Sequence, residues 1–330
     1  MKAAAIKQTG PPETIEILDL PRPQVTDSQV LVRVEAVDVN PIDTYVRSGL
    51  VAMPLPLPYI VGCDLAGVVE AVGSNVTRFK PGMRVWGSNQ GLLGRQGTFA
   101  EFAAVDEQWL YVTPPEVSSE TATALALVGI TAHLGLVRDA KLLAGETLFV
   151  NGGSGGVGSV VVQMAKAMGA RVITTAGSAE NLKLCRELGA DLAINYKAND
   201  VDTRIKEFAP QGVNVWWETQ REPNFDRAVS LLAPRGRMVI MAGREARPQF
   251  PVGPFYVKSC ALYGFAMFNA TAEEQQAAAD DINRWHAAGK LKANIDRILP
   301  LDQAAAAHRL QEENTLHKAG TLTGKIVLKP

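Results

Sequence analysis

Cysteine is scarce in this chain of 330 residues, and its absence removes whole classes of protein. Cys63, Cys185 and Cys260 are too few and too scattered for a disulfide framework or a four-cysteine zinc lobe. Charge of one sign is equally lacking. The 33 basic residues are balanced by 34 acidic ones, so no excess points to nucleic acid or to a membrane surface. Aromatic residues make up only 6% of the chain, and no basic cluster interleaves with them to form a base-stacking platform. Met1–Lys7 is too short in apolar run to read as a signal peptide. No run of about 18 apolar residues is evident, so no bilayer span is expected. No repeat or low-complexity segment stands out. What remains is a cytoplasmic protein with no membrane partner, long enough for two cores, since single cores stop growing near about 250–300 residues.

The first hundred or so residues read as β-rich. Short apolar runs at Thr14–Leu18, Val30–Val39, Leu65–Val72, Arg84–Trp86 and Phe99–Val105 lie between proline and glycine punctuation, which predicts a small, partly open barrel. Met53–Pro58, with three prolines, reads as an extended surface loop. Glu120–Val137 is rich in alanine and leucine and reads as a helix leading to a strand at Thr147. Strand and helix then alternate. Strands are expected at Val172, Leu192–Asn195, Val213–Trp217, Arg237–Met241 and Ala261–Ala266, and helices at Asn181–Leu188 and Asn224–Leu232. That order predicts an α/β fold with a doubly wound parallel sheet. Beyond it come helices at Thr271–Ala288 and Leu301–Glu312 and a last strand, Gly324–Lys329, expected to return to the N-terminal barrel. The expected domains are 1–122, 123–266 and 267–330, the last rejoining the first.

The richest stretch is LFVNGGSGGVG, residues 148–158. An apolar strand end runs into a glycine turn that opens a helix at Gly158–Met168, and Gly153, Gly155 and Gly158 fit G-x-G-x-x-G. One glycine permits the tight turn, the next lets the backbone approach a pyrophosphate, and the third lets helix and strand pack closely. Free N–H groups and the positive end of the helix dipole favour the phosphates. A second strand, Ala170–Thr175, completes the βαβ unit, so a dinucleotide is the expected ligand. An NAD site usually places an acid roughly 20 residues past the first glycine, at the end of that strand. Here TTAGS (residues 174–178) holds no acid before Glu180. NADPH is therefore favoured, with Gly177 and Ser178 offering an N–H and a hydroxyl and Lys183 and Tyr196 standing as further partners.

In this order the motifs resemble those of a medium-chain dehydrogenase/reductase of the zinc-independent quinone oxidoreductase type, the group that includes zeta-crystallin. The resemblance covers nearly the whole chain. It rests on VDVNPIDTYVRSG (37–49), VGCDLAGVVEAVG (61–73), GTFAEF (97–102), GITA (129–132), the glycine turn, GADLAINY (189–196) and GRMVIMAG (236–243). It implies a GroES-like β-barrel catalytic domain, a Rossmann domain, and a homodimer joined through the Rossmann sheet edge. It also carries cofactor contacts onto Tyr45, Thr131, Ser154, Gly155, Gly156, Val157, Gly177, Ser178, Tyr196, Thr219, Gly243, Arg244, Ala266, Met267 and Phe268.

Zinc enzymes of this superfamily place a cysteine ligand where Asn40 lies and a Gly-His-Glu where Gly62–Asp64 lies. One thiol and one carboxylate do not make a catalytic zinc site, which needs three protein ligands, so no metal is expected. Within the resemblance, Asn40 orients the substrate carbonyl or the cofactor, and Tyr45, un-ionised at neutral pH, donates a hydrogen bond to developing oxyanion charge. The plainer reading is that Asn40 caps a turn before Pro41 and Tyr45 packs. One stretch departs from the group: Gln220–Glu222 replaces a glycine turn, and Arg221 and Arg244 could meet an anionic substrate tail or the 2′-phosphate. Leu92–Leu93 and Met267–Phe268 are candidate walls of an apolar pocket. The expected activity is NADPH-dependent hydride transfer to a small-molecule electron acceptor, a quinone or the activated C=C of an enone. The alternatives are an enoyl-thioester or alkenal reductase and, from another class, a non-catalytic NADPH-binding or crystallin-like, RNA-associated protein.

Overall fold

Alternating apolar residues make Gln29–Asp38 the longest strand of the N-terminal part, and the sheets of that part are built around it. The computed structural model describes residues 1–317 and 319–330. The chain divides into two compact units: residues 1–127, 270–287 and 292–330 form the first, and 128–269 with 288–291 form the second.

The first unit opens with β1 (Lys2–Ile6), β2 (Glu16–Asp19) and β3 (Gln29–Asp38), then helix α1 (Pro41–Ser48). It continues with β4 (Tyr59–Ile60), β5 (Leu65–Val72), β6 (Arg84–Gly87), β7 (Phe102–Asp106), β8 (Leu110–Val112) and helix α2 (Ser119–His133), through which the chain enters the second unit. The second unit alternates β9 (Thr147–Asn151), α3 (Gly156–Ala167), β10 (Arg171–Ala176), α4 (Ala179–Glu187), β11 (Leu192–Asn195), α5 (Val201–Phe208), β12 (Val213–Glu218), α6 (Phe225–Leu231), β13 (Leu232–Ile240), α7 (Val252–Val257) and β14 (Ala261–Gly264). The chain then returns to the first unit as α8 (Ala272–Ala287), β15 (Ile295–Pro300), α9 (Ala304–Thr315) and β16 (Lys325–Lys329).

In the first unit β2, β1 and β4 form one small antiparallel sheet, and β15, β16, β3, β5, β6 and β8 follow one another in a larger one. β16 and β7 share one edge of β3: β7 pairs with Gln29–Arg33, and β16 with Val37 and Asp38. In the second unit the strand order is β11-β10-β9-β12-β13-β14, all parallel, so the chain reverses direction of winding between β9 and β12. Ligands of such sheets gather at the carboxyl ends of the strands beside that switch point. Phe149, Ile173, Trp216, Phe225 and Met238 pack one face of this sheet, with Phe149 and Trp216 ring centroids 4.2 Å apart.

Several elements depart from the sequence expectation. The turn expected at Asn40–Pro41 opens a helix, α1, because Asn40 caps it, Pro41 stands at its first position and Gly49 closes it with φ 82°. Pro12–Thr14 forms a 3₁₀ turn, which delays the strand expected at Thr14 until Glu16. The strand expected at Arg237 begins at Leu232, across an irregularity in register with β12 where Arg235 takes φ 59°. β1, β4, β8 and β15 were not foreseen. The helix at Ser119 runs on through a π-type turn, Leu134–Asp139. Ser119–Asp139 is by length and composition apolar enough to cross a membrane, contrary to the sequence reading, but it is mostly buried inside the fold, as a core helix is.

Candidate functional site

Every loop that leaves the carboxyl edge of the parallel sheet carries expected cofactor residues. Ser154–Val157 follow β9, Gly177 and Ser178 follow β10, Tyr196 follows β11, and Thr219 follows β12. Gly243 and Arg244 follow β13, and Ala266–Phe268 follow β14. Thr131 lies elsewhere, nearly buried in α2.

The glycine turn divides its labour differently from the simple motif. The left-handed residue is Gly152, φ 94°, not Gly153. A β-carbon on Gly158 would lie 2.1 Å from the Gly152 carbonyl oxygen, and one on Gly153 would lie 2.1 Å from Thr174 Oγ1, so both are small for packing. Gly155 differs. A β-carbon there would meet nothing nearer than 3.8 Å, and Gly155 is exposed at the N-cap of α3. Nothing in the protein needs a glycine at that point, and the space it leaves is a cradle over a helix N-terminus. The first intrahelical bond is Ser159 N–H to the Gly155 carbonyl, 2.9 Å, so the N–H groups of Gly156, Val157 and Gly158 remain for a ligand. The donors and the room fit a dinucleotide pyrophosphate.

A buried network fixes this turn. Thr175 Oγ1 accepts the Gly152 N–H (3.0 Å) and donates to Asn151 Oδ1 (3.1 Å). Asn151 Nδ2 donates to both Glu218 oxygens, at 2.9 and 3.2 Å, and Glu218 also accepts from Trp216 Nε1 (3.1 Å) and Gln220 N–H (2.8 Å). Burial pushes the Glu218 carboxyl up, against these donors. The Thr219 hydroxyl donates to the Asn151 carbonyl, so it ties β12 to β9 and serves the turn indirectly. Sequence reasoning missed Asn151 and Thr175, for which no motif gives a signal.

At the end of β10 the Tyr196 ring lies against the Gly177 backbone, and Ser178 Oγ caps α4 by accepting the Asn181 N–H at 3.2 Å. Lys183, considered as a phosphate partner, is exposed and lies 3.8 Å from Glu187. The loops after β12 and β13 abut, for a β-carbon on Gly243 would lie 2.3 Å from the Arg221 carbonyl oxygen; Arg244 is exposed. Leu92 is buried and Leu93 exposed, so they do not form one wall together, and Met267 is buried while Phe268 is half-buried.

In the first unit Asn40 joins β3 to α1. Its N–H donates to Asp43 Oδ2 at 2.8 Å, closing a capping box. Its side chain is consumed inside the fold. Nδ2 donates to Asp64 Oδ2 (2.9 Å) and reaches Asp38 Oδ1 (3.4 Å), while Oδ1 accepts from Lys325 Nζ (2.6 Å). With 0% exposure, the Asn40 side chain is hydrogen-bonded at both ends within the fold. Tyr45, just over one turn along α1, is half-buried. Around Asn40 lie Asp43, Cys63 and Asp64, all buried. Burial, opposed by the Cys63 thiol and the Asn40 N–H, pushes Asp43 up to about 7. Burial and then the neighbouring Asp38 carboxylate push Asp64 well above the usual carboxylate range, and burial also keeps Cys63 a thiol.

Residues 26–115 match the alcohol dehydrogenase GroES-like domain, and residues 156–284 match the zinc-binding dehydrogenase family. Human quinone oxidoreductase is 33% identical, an alignment covering 99% of this chain and 97% of that protein. The chloroplastic NADPH-dependent alkenal/one oxidoreductase of Arabidopsis thaliana is 33% identical over 93% of this chain and 74% of its own length. The crystal structure of Escherichia coli quinone oxidoreductase complexed with NADPH superposes with a TM-score of 0.86 over the full length of both chains, at 27% identity. A zinc ion does not fit the donors at Asn40, Cys63 and Asp64: Asn40 Oδ1 is taken by an ammonium, and Asp64 Oδ2 accepts from Asn40 and from Leu127 N–H (3.1 Å), which leaves the Cys63 thiol alone where three protein ligands are needed. With a GroES-like N-terminal part, a Rossmann-type parallel sheet and full-length relatives, the chain belongs to the quinone oxidoreductase group of the medium-chain dehydrogenase/reductase superfamily.

Proposed function

We propose that this protein is an NADPH-dependent reductase that works without zinc and delivers hydride to a quinone or to the activated C=C of an enone. The observation that carries this reading is the open cradle at Gly155 over the α3 N-terminus, beside a second strand that is followed by Gly177 and Ser178 rather than an acid. NADPH, when bound, supplies the hydride. The chain supplies the rest: the N–H groups of Gly156 and Val157 bind the pyrophosphate, and the Ser178 hydroxyl and Tyr196 hold the 2′-phosphate. Tyr45 donates a hydrogen bond to the acceptor oxygen as charge develops there. Orientation and a few donors can supply much of the rate, so no Lewis acid is required.

An alkenal reductase is the second reading, supported by the similarity to the alkenal/one oxidoreductase. A formal net charge of −1 speaks against an RNA-associated role, since phosphate contacts need clustered lysine or arginine. Three free cysteines accord with a reducing, cytoplasmic setting. We place a homodimer contact at β14, the outermost strand of the parallel sheet, where the preceding helix leaves Val252, Tyr256 and Val257 exposed. The test is NADPH oxidation measured against quinones, enones, alkenals and enoyl-CoA esters. Turnover of a quinone or enone supports the reading, and activity confined to enoyl thioesters would replace it.

A further inference from the structure

The polar interior of the first unit already contains a cation. β16 runs antiparallel to β3 with Val327 opposite Asp38, and the same register sets Lys325 opposite Asn40. Lys325 Nζ lies 2.6 Å from Asp38 Oδ2, 2.6 Å from Asn40 Oδ1 and 3.2 Å from the Val39 carbonyl oxygen. Nζ donates to Asn40 Oδ1 and to the Val39 carbonyl, and it forms an ion pair with Asp38. Lys325 is 6% exposed and Asp38 0%, so neither charge is shared with solvent.

We propose that Lys325 is the resident cation of this barrel, an ammonium in place of a metal ion, and that it acts as a positioning residue for the reductase reaction by fixing Asn40 and the start of α1. The inference rests on the reductase reading given above. Its logic is the direction of each hydrogen bond. Lysine only donates, so the end of the Asn40 amide facing Nζ is its oxygen, and the end facing Asp64 is then its nitrogen. One orientation of Asn40 satisfies both neighbours, and the flipped amide would set its NH2 against the ammonium. The Asn40 backbone N–H is meanwhile bound by Asp43 in the first turn of α1. Lys325 thus determines how the helix that carries Tyr45 leaves β3. Asp38 is held against both Lys325 and Asn40.

A buried ion pair that serves stability alone can often be replaced by neutral groups of similar volume without loss, whereas removing one partner leaves the other charge stranded. The experiment uses this asymmetry. Lys325→Met alone should lower the melting temperature, and Lys325→Met combined with Asp38→Asn should recover most of it. In the combined variant Asn40 Oδ1 still lacks its donor. Its kcat with a quinone or enone should fall about tenfold, as expected for a misplaced active-site group, while KM for NADPH stays within about twofold. Amide hydrogen exchange over residues 41–48 should rise in the same variant. Wild-type kcat together with wild-type exchange in the combined variant would make the pair structural only and overturn the proposal. So would one equivalent of zinc retained by the wild-type protein after incubation with zinc and dialysis. Should the wild-type protein reduce no acceptor with NADPH, the reductase reading falls, and exchange over 41–48 then decides whether Lys325 fixes α1.

Discussion

The Tyr196 hydroxyl oxygen lies 2.4 Å from the point where a β-carbon on Gly177 would sit. Two strands that are neighbours in the sheet, β10 and β11, thereby bring a backbone N–H, the Ser178 hydroxyl and a phenol to one spot, with Tyr196 56% exposed. No carboxylate follows β10 directly to repel a phosphate. NADPH should therefore bind at least about tenfold more tightly than NADH, roughly 1.4 kcal/mol. Tyr196→Phe and Ser178→Ala should each weaken NADPH and leave NADH alone. Fluorescence titration of both reduced nucleotides checks this, and equal affinities in the wild-type protein would remove the 2′-phosphate contact from the account.

The glycine turn predicts a separation of stability from binding. Gly155→Ala meets only the Gly152 carbonyl oxygen, at an unstrained 3.8 Å, and keeps an allowed backbone, φ −74°. It should leave the melting temperature unchanged while reducing NADPH affinity by tenfold or more, about 1.4 kcal/mol, because the methyl group fills the cradle. Gly158→Ala should do the reverse in emphasis. Its methyl would overlap the Gly152 carbonyl, and overpacking of this kind costs about 1–3 kcal/mol. A Gly155→Ala protein that binds NADPH normally would show that no phosphate approaches there.

The parallel sheet was legible because each of its motifs is local: an apolar strand, a glycine turn, a helix. What escaped the sequence is the set of contacts made by register. Lys325 sits in KIVLK, a short β-branched strand in which nothing marks the first lysine as buried and the last as exposed. Only the pairing of β16 with β3 turns it inward toward Asp38 and Asn40. Asn151, Thr175 and Glu218 stand far apart in sequence and meet because β10, β9 and β12 are neighbours. α1 was missed for another reason. An eight-residue helix offers too few turns for apolar periodicity, and its cap, Asn40 with Asp43, is a signal that the proline at position 41 overshadowed.

Asn40 and Tyr45 should part company when mutated. Tyr45→Phe keeps the ring and removes one donor. It should lower kcat and kcat/KM together by about tenfold, less than the 10²–10³ typical of an oxyanion donor, since water can also polarise a quinone or enone. Its melting temperature should stay near wild type. Asn40→Ala leaves Lys325 and Asp64 short of partners in a sealed interior, a loss of about 1–3 kcal/mol for each unsatisfied group, so its first effect should be on stability. Steady-state kinetics and thermal melts of the two variants distinguish the roles. Unchanged kcat in Tyr45→Phe would leave Tyr45 as wall only.

Two buried groups of the first unit should give stability opposite pH slopes. His308, on α9, is fully buried with both ring nitrogens unpartnered, edge-on to Phe99 at 5.8 Å. Burial, with the Arg47 guanidinium nearby, pushes it down from 6.5 to about 3. Between those values the unfolded chain binds a proton that the folded protein refuses, so stability falls as pH drops through that window. Asp43 works the other way. Raised from 3.8 to about 7, it holds a proton in the folded protein that the unfolded chain has lost, so its contribution is present at low pH and disappears as pH rises toward 7. Each proton corresponds to about 1.4 kcal/mol per pH unit within its window. His308→Leu should flatten the acid limb of the stability profile, and Asp43→Asn should flatten the limb that approaches neutrality. Denaturant midpoints of wild type and both variants, taken across about pH 4 to 8, give the difference curves. A His308→Leu curve parallel to wild type throughout would mean that the histidine takes up its proton inside the fold, and the account of a neutral, sealed His308 would fail.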